Sequence, residues 1–123
     1  MVDEELTQAI IGACVEVHKH LGPGLLESAY QRCLCHELAL RQIQFASQVD
    51  LPVVYKGVKL DCAYRMDLVV EGRVLLELKS IEKPAPIHEA QLISYLRLSG
   101  LRVGLLVNFN TKKLVDGIIR RVV

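Results

Sequence analysis

Asp67, Glu77 and Lys79 interrupt the otherwise oily stretch MDLVVEGRVLLELKS, Met66 to Ser80. Two carboxylates held side by side raise each other's proton affinity unless a cation lies between them, and hard oxygen donors suit Mg²⁺ or Mn²⁺. Such an ion keeps several waters and takes up a phosphate oxygen. A lysine alongside could hold or deprotonate the attacking water, or offset charge developing on phosphorus. These residue types therefore point to metal-assisted hydrolysis of a phosphodiester. Equally, an acid–lysine group on a sheet face can be a plain cross-strand ion pair, worth roughly 0.2–1 kcal/mol.

Whether the three residues meet depends on one loop. Side chains alternate faces along a strand, so the turn between Val70 and Val74 decides which of them share a face. A two-residue turn at Glu71-Gly72 would set Asp67 opposite Leu76 and on the other face from Glu77. A three-residue loop, Glu71-Gly72-Arg73, changes the parity. Met66, Leu68, Val70, Val74, Leu76 and Leu78 then form one apolar face, and Asp67, Glu77 and Lys79 share the other. The hydrophobic pattern alone selects the odd loop, with Gly72 suited to a left-handed position in a bulged turn.

The elements that must hold this hairpin follow from the pattern around it. Apolar residues at Leu6, Ile10, Ala13, Cys14, Val17 and Leu21 have helical spacing, which predicts an amphipathic helix from Asp3 to about His20. LGPGLLE breaks it, and a second helix is expected from about Leu25 to Arg41. After Gln42 the texture becomes β-type. FASQVDLPVVYKG carries Pro52, which argues for an edge strand or a bulge there. VKLDCAYRMDLVV, RVLLELKS and RVGLLVNFN supply further strands, and DGIIRRVV a short last one. PIHEAQLISYLRLSG predicts a helix of about 13 residues between Pro86 and Gly100. The order implies a single α/β domain over residues 1–123 with a mixed sheet: an antiparallel meander, then a crossover strand parallel to a neighbour.

Two helical positions add to the candidate site. Glu27 lies on the stripe of Tyr30, Leu34 and Leu38, so a carboxylate occupies a line that otherwise faces the core. With Gly24 as N-cap it would fall at the third helical position, where a glutamate also favours the macrodipole. Gln91 and Tyr95, four apart, share a face with Ile87 and Leu98. There a Gln can be a satisfied core group, orient a metal water or touch a phosphate.

Composition limits the alternatives. A chain of 123 residues, 51% hydrophobic, fits one core. No run reaches the roughly 20 apolar residues of a membrane span, and MVDEELTQ is not a basic leader, so a soluble cytoplasmic protein is expected. Cys14, Cys33, Cys35 and Cys62 include no C-x-x-C pair and read as small buried thiols. His18, His20, His36 and His88 suit helix-surface or packing roles. Residues 1–50 carry three basic and seven acidic side chains, residues 51–123 twelve and seven. The basic C-terminal part is compatible with a phosphate-rich partner. Aromatic residues are 5% and Trp is absent, a poor supply for base stacking.

GLLESAY, Gly24 to Tyr30, matches G-x-x-E-x-x-Y. With EVHKHLGPGLLESAY, MDLVVEGRVLLELKS, HEAQLISYL and GLLVNF in order, nearly the whole chain resembles the small GxxExxY protein family of the PD-(D/E)XK nuclease-like superfamily. The resemblance implies a restriction-endonuclease-like core. By position, Asp67 corresponds to the first acidic residue and Glu77 and Lys79 to the E-x-K. Glu27 resembles the helical glutamate that assists metal binding, and Gln91 and Tyr95 the Q-x-x-x-Y of RecB-like branches. Met66 stands where the superfamily name has proline, which is not a metal ligand. The expectation is an Mg²⁺- or Mn²⁺-dependent nuclease acting on DNA or RNA. In it Asp67, Glu77, Glu27 and the carbonyl of Leu78 hold metal, Lys79 positions or activates water, and Gln91 and Tyr95 orient the phosphate. The competing expectation is a non-catalytic binding or assembly module with the same fold, as a homodimer or part of a larger complex.

Overall fold

The computed structural model describes residues 3–123, leaving aside the side chains of Cys62 and Ala63. Of the four cysteines, Cys62 thus lies outside the described side chains. Helices α1 (Glu4–Leu21) and α2 (Glu27–Leu40) are followed by strands β1 (Phe45–Tyr55), β2 (Val58–Val70) and β3 (Val74–Lys79). Helix α3 (Pro86–Ser99) leads to β4 (Val103–Asn108), a 3-10 turn at Leu114–Gly117 and β5 (Ile118–Val122).

The five strands stand in the sheet in chain order. The first three form an antiparallel meander, β4 runs parallel to β3 after the α3 crossover, and β5 closes antiparallel to β4. β1 is an edge strand, and its register with β2 shifts between Leu51 and Val53. Pro52 sits at that shift, where its missing N–H interrupts no regular ladder. The β1–β2 turn is two residues, Lys56-Gly57, both with positive φ, the backbone a tight hairpin turn requires.

Two apolar layers enclose the sheet. On one side, α1 and α2 place Ile10, Ala13, Tyr30, Leu34 and Leu38 against Leu68, Val74, Leu76, Leu78, Leu105 and Val107. On the other, α3 places Leu92, Tyr95 and Leu96 against Leu51, Met66, Leu75 and Leu106. Gly104 faces α3, where an added Cβ would meet Leu92 at 2.9 Å and Leu96 at 3.0 Å. Its bare backbone lets the helix sit close to β4. Cys14 is fully buried, and the lack of solvent pushes its thiol up to about 12. Cys33 and Cys35 are only half-buried, because α2 turns them toward the margin of the core instead of its centre.

Candidate active site at the mouth of a hairpin

The β2–β3 loop is the odd one. Val70 pairs with Val74, Val69 with Leu75 and Leu68 with Leu76, so three residues, Glu71-Gly72-Arg73, make the connection. Glu71 and Gly72 both have positive φ, at 53° and 64°. The same register carries on to set Asp67 across from Glu77.

Regular pairing stops there. The amide of Asp67 donates to Oε2 of Glu77 at 2.8 Å, and the amide of Leu78 donates to Oδ2 of Asp67 at 2.8 Å. The two carboxylates thus take backbone N–H groups that a continuing ladder would have used, where β2 splays away from β3. One oxygen of each carboxylate is held in this way.

Met66 departs from the expected single apolar face. It packs with Leu51, Leu75 and Tyr95 on the α3 side, while Leu68 and Val70 pack on the α1–α2 side. The alternation of β2 slips at Asp67. Opposite it on β1 stands Gln48, whose φ of 51° is left-handed backbone. A residue turned into that region kinks its strand and re-aims the neighbours, which lets an acidic side chain leave the core layer.

Glu77 is 5% exposed. Burial and the neighbouring Asp67 push its carboxyl up to about 8, against the opposing pull of the Asp67 amide and of Lys79. Asp67 is raised by burial too, opposed by the Leu78 amide and Lys79. Burial likewise raises Glu27, with Lys79 opposing, Asp67 adding to the rise and His88 opposing. The hydroxyl of Tyr95 is raised by burial and by Glu77, and Gln91 Nε2 donates to it at 3.1 Å. The fold thus gathers Glu27, Asp67, Glu77, Lys79, Gln91 and Tyr95 into one electrostatic group.

Glu27 arrives by a different local structure from the expected one. Leu26 is the N-cap of α2 and Glu27 its first residue; Gly24 lies two residues earlier with φ 95°. The Gly-Pro-Gly turn uses that glycine for a left-handed corner, so the helix begins later. Tyr30 and Ser80 then clamp the corner. The Tyr30 hydroxyl donates to the carbonyl of Gly22 at 2.5 Å and accepts from the amide of Leu25 at 3.1 Å. Ser80 Oγ donates to the carbonyl of Leu25 at 2.5 Å. Tyr30 is fully buried and stacks on Phe109, ring centroids 4.5 Å apart. The last residue of G-x-x-E-x-x-Y therefore fixes the turn that delivers its glutamate, and Ser80 ties that turn to the strand bearing Lys79. Tyr30 was visible in the motif; Ser80 carried no signal. Asn108, buried, binds both backbone groups of Ile81 and so holds the segment after Lys79.

Three of the four histidines make hydrogen bonds. His18 bonds the carbonyl of Thr111 at 2.8 Å, His20 pairs with Glu16, and His88 Nδ1 accepts from the Ala85 amide at the start of α3.

For a divalent ion, the donor set is hard oxygen: the free oxygens of Asp67 and Glu77. Burial opposes the ionisation of both, and the charge of Asp67 adds to it at Glu77, the condition a cation relieves. Among the described residues, no three His, Cys, Asp or Glu side chains are grouped so as to hold a metal alone. Glu27 is coupled to the pair without closing such a group.

A mixed sheet flanked by three helices, with an aspartate on one strand opposite the first residue of E-x-K on the next, defines a restriction-endonuclease-like domain. The model of the PD-(D/E)XK nuclease superfamily matches residues 4–122, and the chain belongs to that superfamily. No curated protein and no solved structure matches the chain. No helix among the described residues is long and apolar enough to cross a membrane.

Proposed function

We propose that the chain is a divalent-metal-dependent nuclease of the GxxExxY branch that hydrolyses phosphodiester bonds in DNA or RNA. The observation that carries this reading is the pairing of Asp67 with Glu77 across the splayed hairpin, beside Lys79. A purely structural ion pair does not call for a second, nearly buried carboxylate pushed up to about 8. Such a pair is costly in the absence of a cation.

Asp67 and Glu77 would hold Mg²⁺ or Mn²⁺, with the carbonyl of Leu78 as a further ligand. Mg²⁺ keeps part of its water shell, so Glu27 need not touch the ion to help hold it. When bound, the ion supplies Lewis-acid polarisation of the phosphate and a more acidic water. Lys79 orients the attacking water and offsets negative charge that builds on phosphorus. Gln91, hydrogen-bonded to Tyr95, presents its amide toward the phosphate, and the buried ring of Tyr95 fixes that amide in place.

The test is cleavage of labelled DNA and RNA by purified protein with Mn²⁺, alongside Glu77→Gln and Lys79→Ala. Loss of cleavage in both variants supports the reading. Equal cleavage by variants and parent shows a contaminant and sinks it. Calorimetry with Mn²⁺ on the parent and on Asp67→Ala tests metal binding before any substrate is known. Heat that is absent from both favours the non-catalytic module.

A further inference from the structure

A cleft of about 620 Å³ opens beside the carboxylates, and its lining includes Tyr64, Lys79, Ile87, Gln91, Tyr95 and Leu98. Lys79, Gln91 and Tyr95 belong to both places, so the cleft begins where the phosphate would rest. Its walls have the opposite character. The rings of Tyr64 and Tyr95 meet edge to face with centroids 6.0 Å apart. Ile87 is 69% exposed, Tyr64 47% and Leu98 41%. Ile87 and Leu98 of α3, which the sequence pattern would send to the core, instead line an open slot beside the exposed ring of Tyr64, while Tyr95 on the same face stays largely buried.

The volume lies within the range of small-ligand sites, which are lined mainly by apolar and aromatic side chains with a few convergent polar groups. Lys79 and His88 are the basic side chains of the lining. That provides for one phosphate at the inner end. Following an intact double helix takes a row of such contacts, each neutralising a phosphate.

We infer that this cleft receives the base of the nucleotide whose phosphate is held at Lys79, so that the substrate is a strand with unpaired bases and not an intact duplex. The inference rests on the nuclease reading for the place of the phosphate. A paired base is covered on both faces by its neighbours and must be turned out of the helix to reach a side pocket. A base in a single strand, an end or a loop reaches it freely. Stacking on tyrosine is tolerant of base identity, because every base has a π-face.

The test uses ligands that contain no phosphodiester to cut. The full chain, with Mg²⁺, is titrated by NMR with thymidine 5′-monophosphate and with 2-deoxyribose 5-phosphate. The nucleotide should bind about tenfold tighter than the sugar phosphate. Tyr64→Ala should remove that margin, Tyr64→Phe should keep it, and Lys79→Ala should weaken both ligands alike. The Phe variant preserves ring and packing, so its behaviour separates stacking from disturbance of the fold. No margin in the parent, or an unchanged margin in Tyr64→Ala, overturns the base site even if the protein cuts nucleic acid. Cleavage of a duplex as fast as of the matching single strand overturns it too. A protein that shows the margin and cuts nothing retains the base site and loses the nuclease reading.

Discussion

On the α1–α2 face of the sheet, Leu76 and Leu78 of β3 are fully buried among leucine, valine and tyrosine side chains from both helices. On the α3 face of the same strand, Leu75 is buried just as completely, yet Glu77, two residues on, is a nearly buried carboxylate opposite Asp67. One face is covered by two helices from end to end. The other has a single helix, and there the strand carries a charged residue that is itself nearly buried. Neighbouring residues of one six-residue strand thus serve stability and chemistry separately. A site can hold costly charges when the opposite face carries an unbroken core.

The largest effect should come from the apolar face. Leu76→Ala should lower unfolding free energy by about 2–5 kcal/mol in urea titration, because the layer cannot close over the lost volume. The folded fraction should still bind Mn²⁺. If Leu76→Ala abolished metal binding in protein shown to be folded, the separation of the two faces would be broken.

Lys79→Ala is the reciprocal. Cleavage should fall about 10²–10³-fold, the scale of losing one positioned charge-stabilising group, while the urea midpoint falls much less than in Leu76→Ala. A large loss of stability instead would make Lys79 a structural residue.

Acidity sharpens the contrast in a graded way. The folded carboxyl of Glu77 sits at about 8 against 4.5 ordinarily, so the folded protein holds that proton more tightly than the unfolded chain. The associated stability is fully present below about pH 4.5 and is lost as pH rises through about 8. Asp67 and Glu27 act in the same direction. Urea midpoints of metal-free protein across that window should decline with pH, and Glu77→Gln should flatten the slope. A decline of equal steepness in Glu77→Gln would place its origin elsewhere.

The smallest effect concerns the corner that links the faces. Tyr30→Phe removes the hydroxyl that serves Gly22 and Leu25, and should cost about 1–2 kcal/mol in the same titration. If Tyr30 positions Glu27, Mn²⁺ affinity should fall further than in a variant of equal stability altered on the apolar face.

Much of this layout was legible because it rests on periodicity. The odd loop followed from a face that had to be continuously apolar, and the crossover from a helix-length insert ending at Gly100, whose φ of 78° makes the left-handed stop. The slip at Asp67 was not legible. It lies opposite Gln48, a residue with no special type that adopts left-handed backbone. The start of α2 was misplaced for a similar reason: Gly24 serves the turn, and the helix waits for Leu26. Composition recorded a low aromatic content but could not show that β2 and α3 bring Tyr64 and Tyr95 together.

By itself, the sequence determined the order of elements, the parity of the hairpin and the identity of the charged residues, since each depends on the short-range spacing of apolar and turn-forming side chains. Tertiary structure alone decided that Glu77 captures the backbone amide of Asp67 and Asp67 that of Leu78, and that Tyr30 and Ser80 clamp the turn before Glu27. It alone opened an aromatic cleft beside Lys79. These depend on where separate elements are brought together in space, a placement set by packing against two unequal cores that no local pattern encodes.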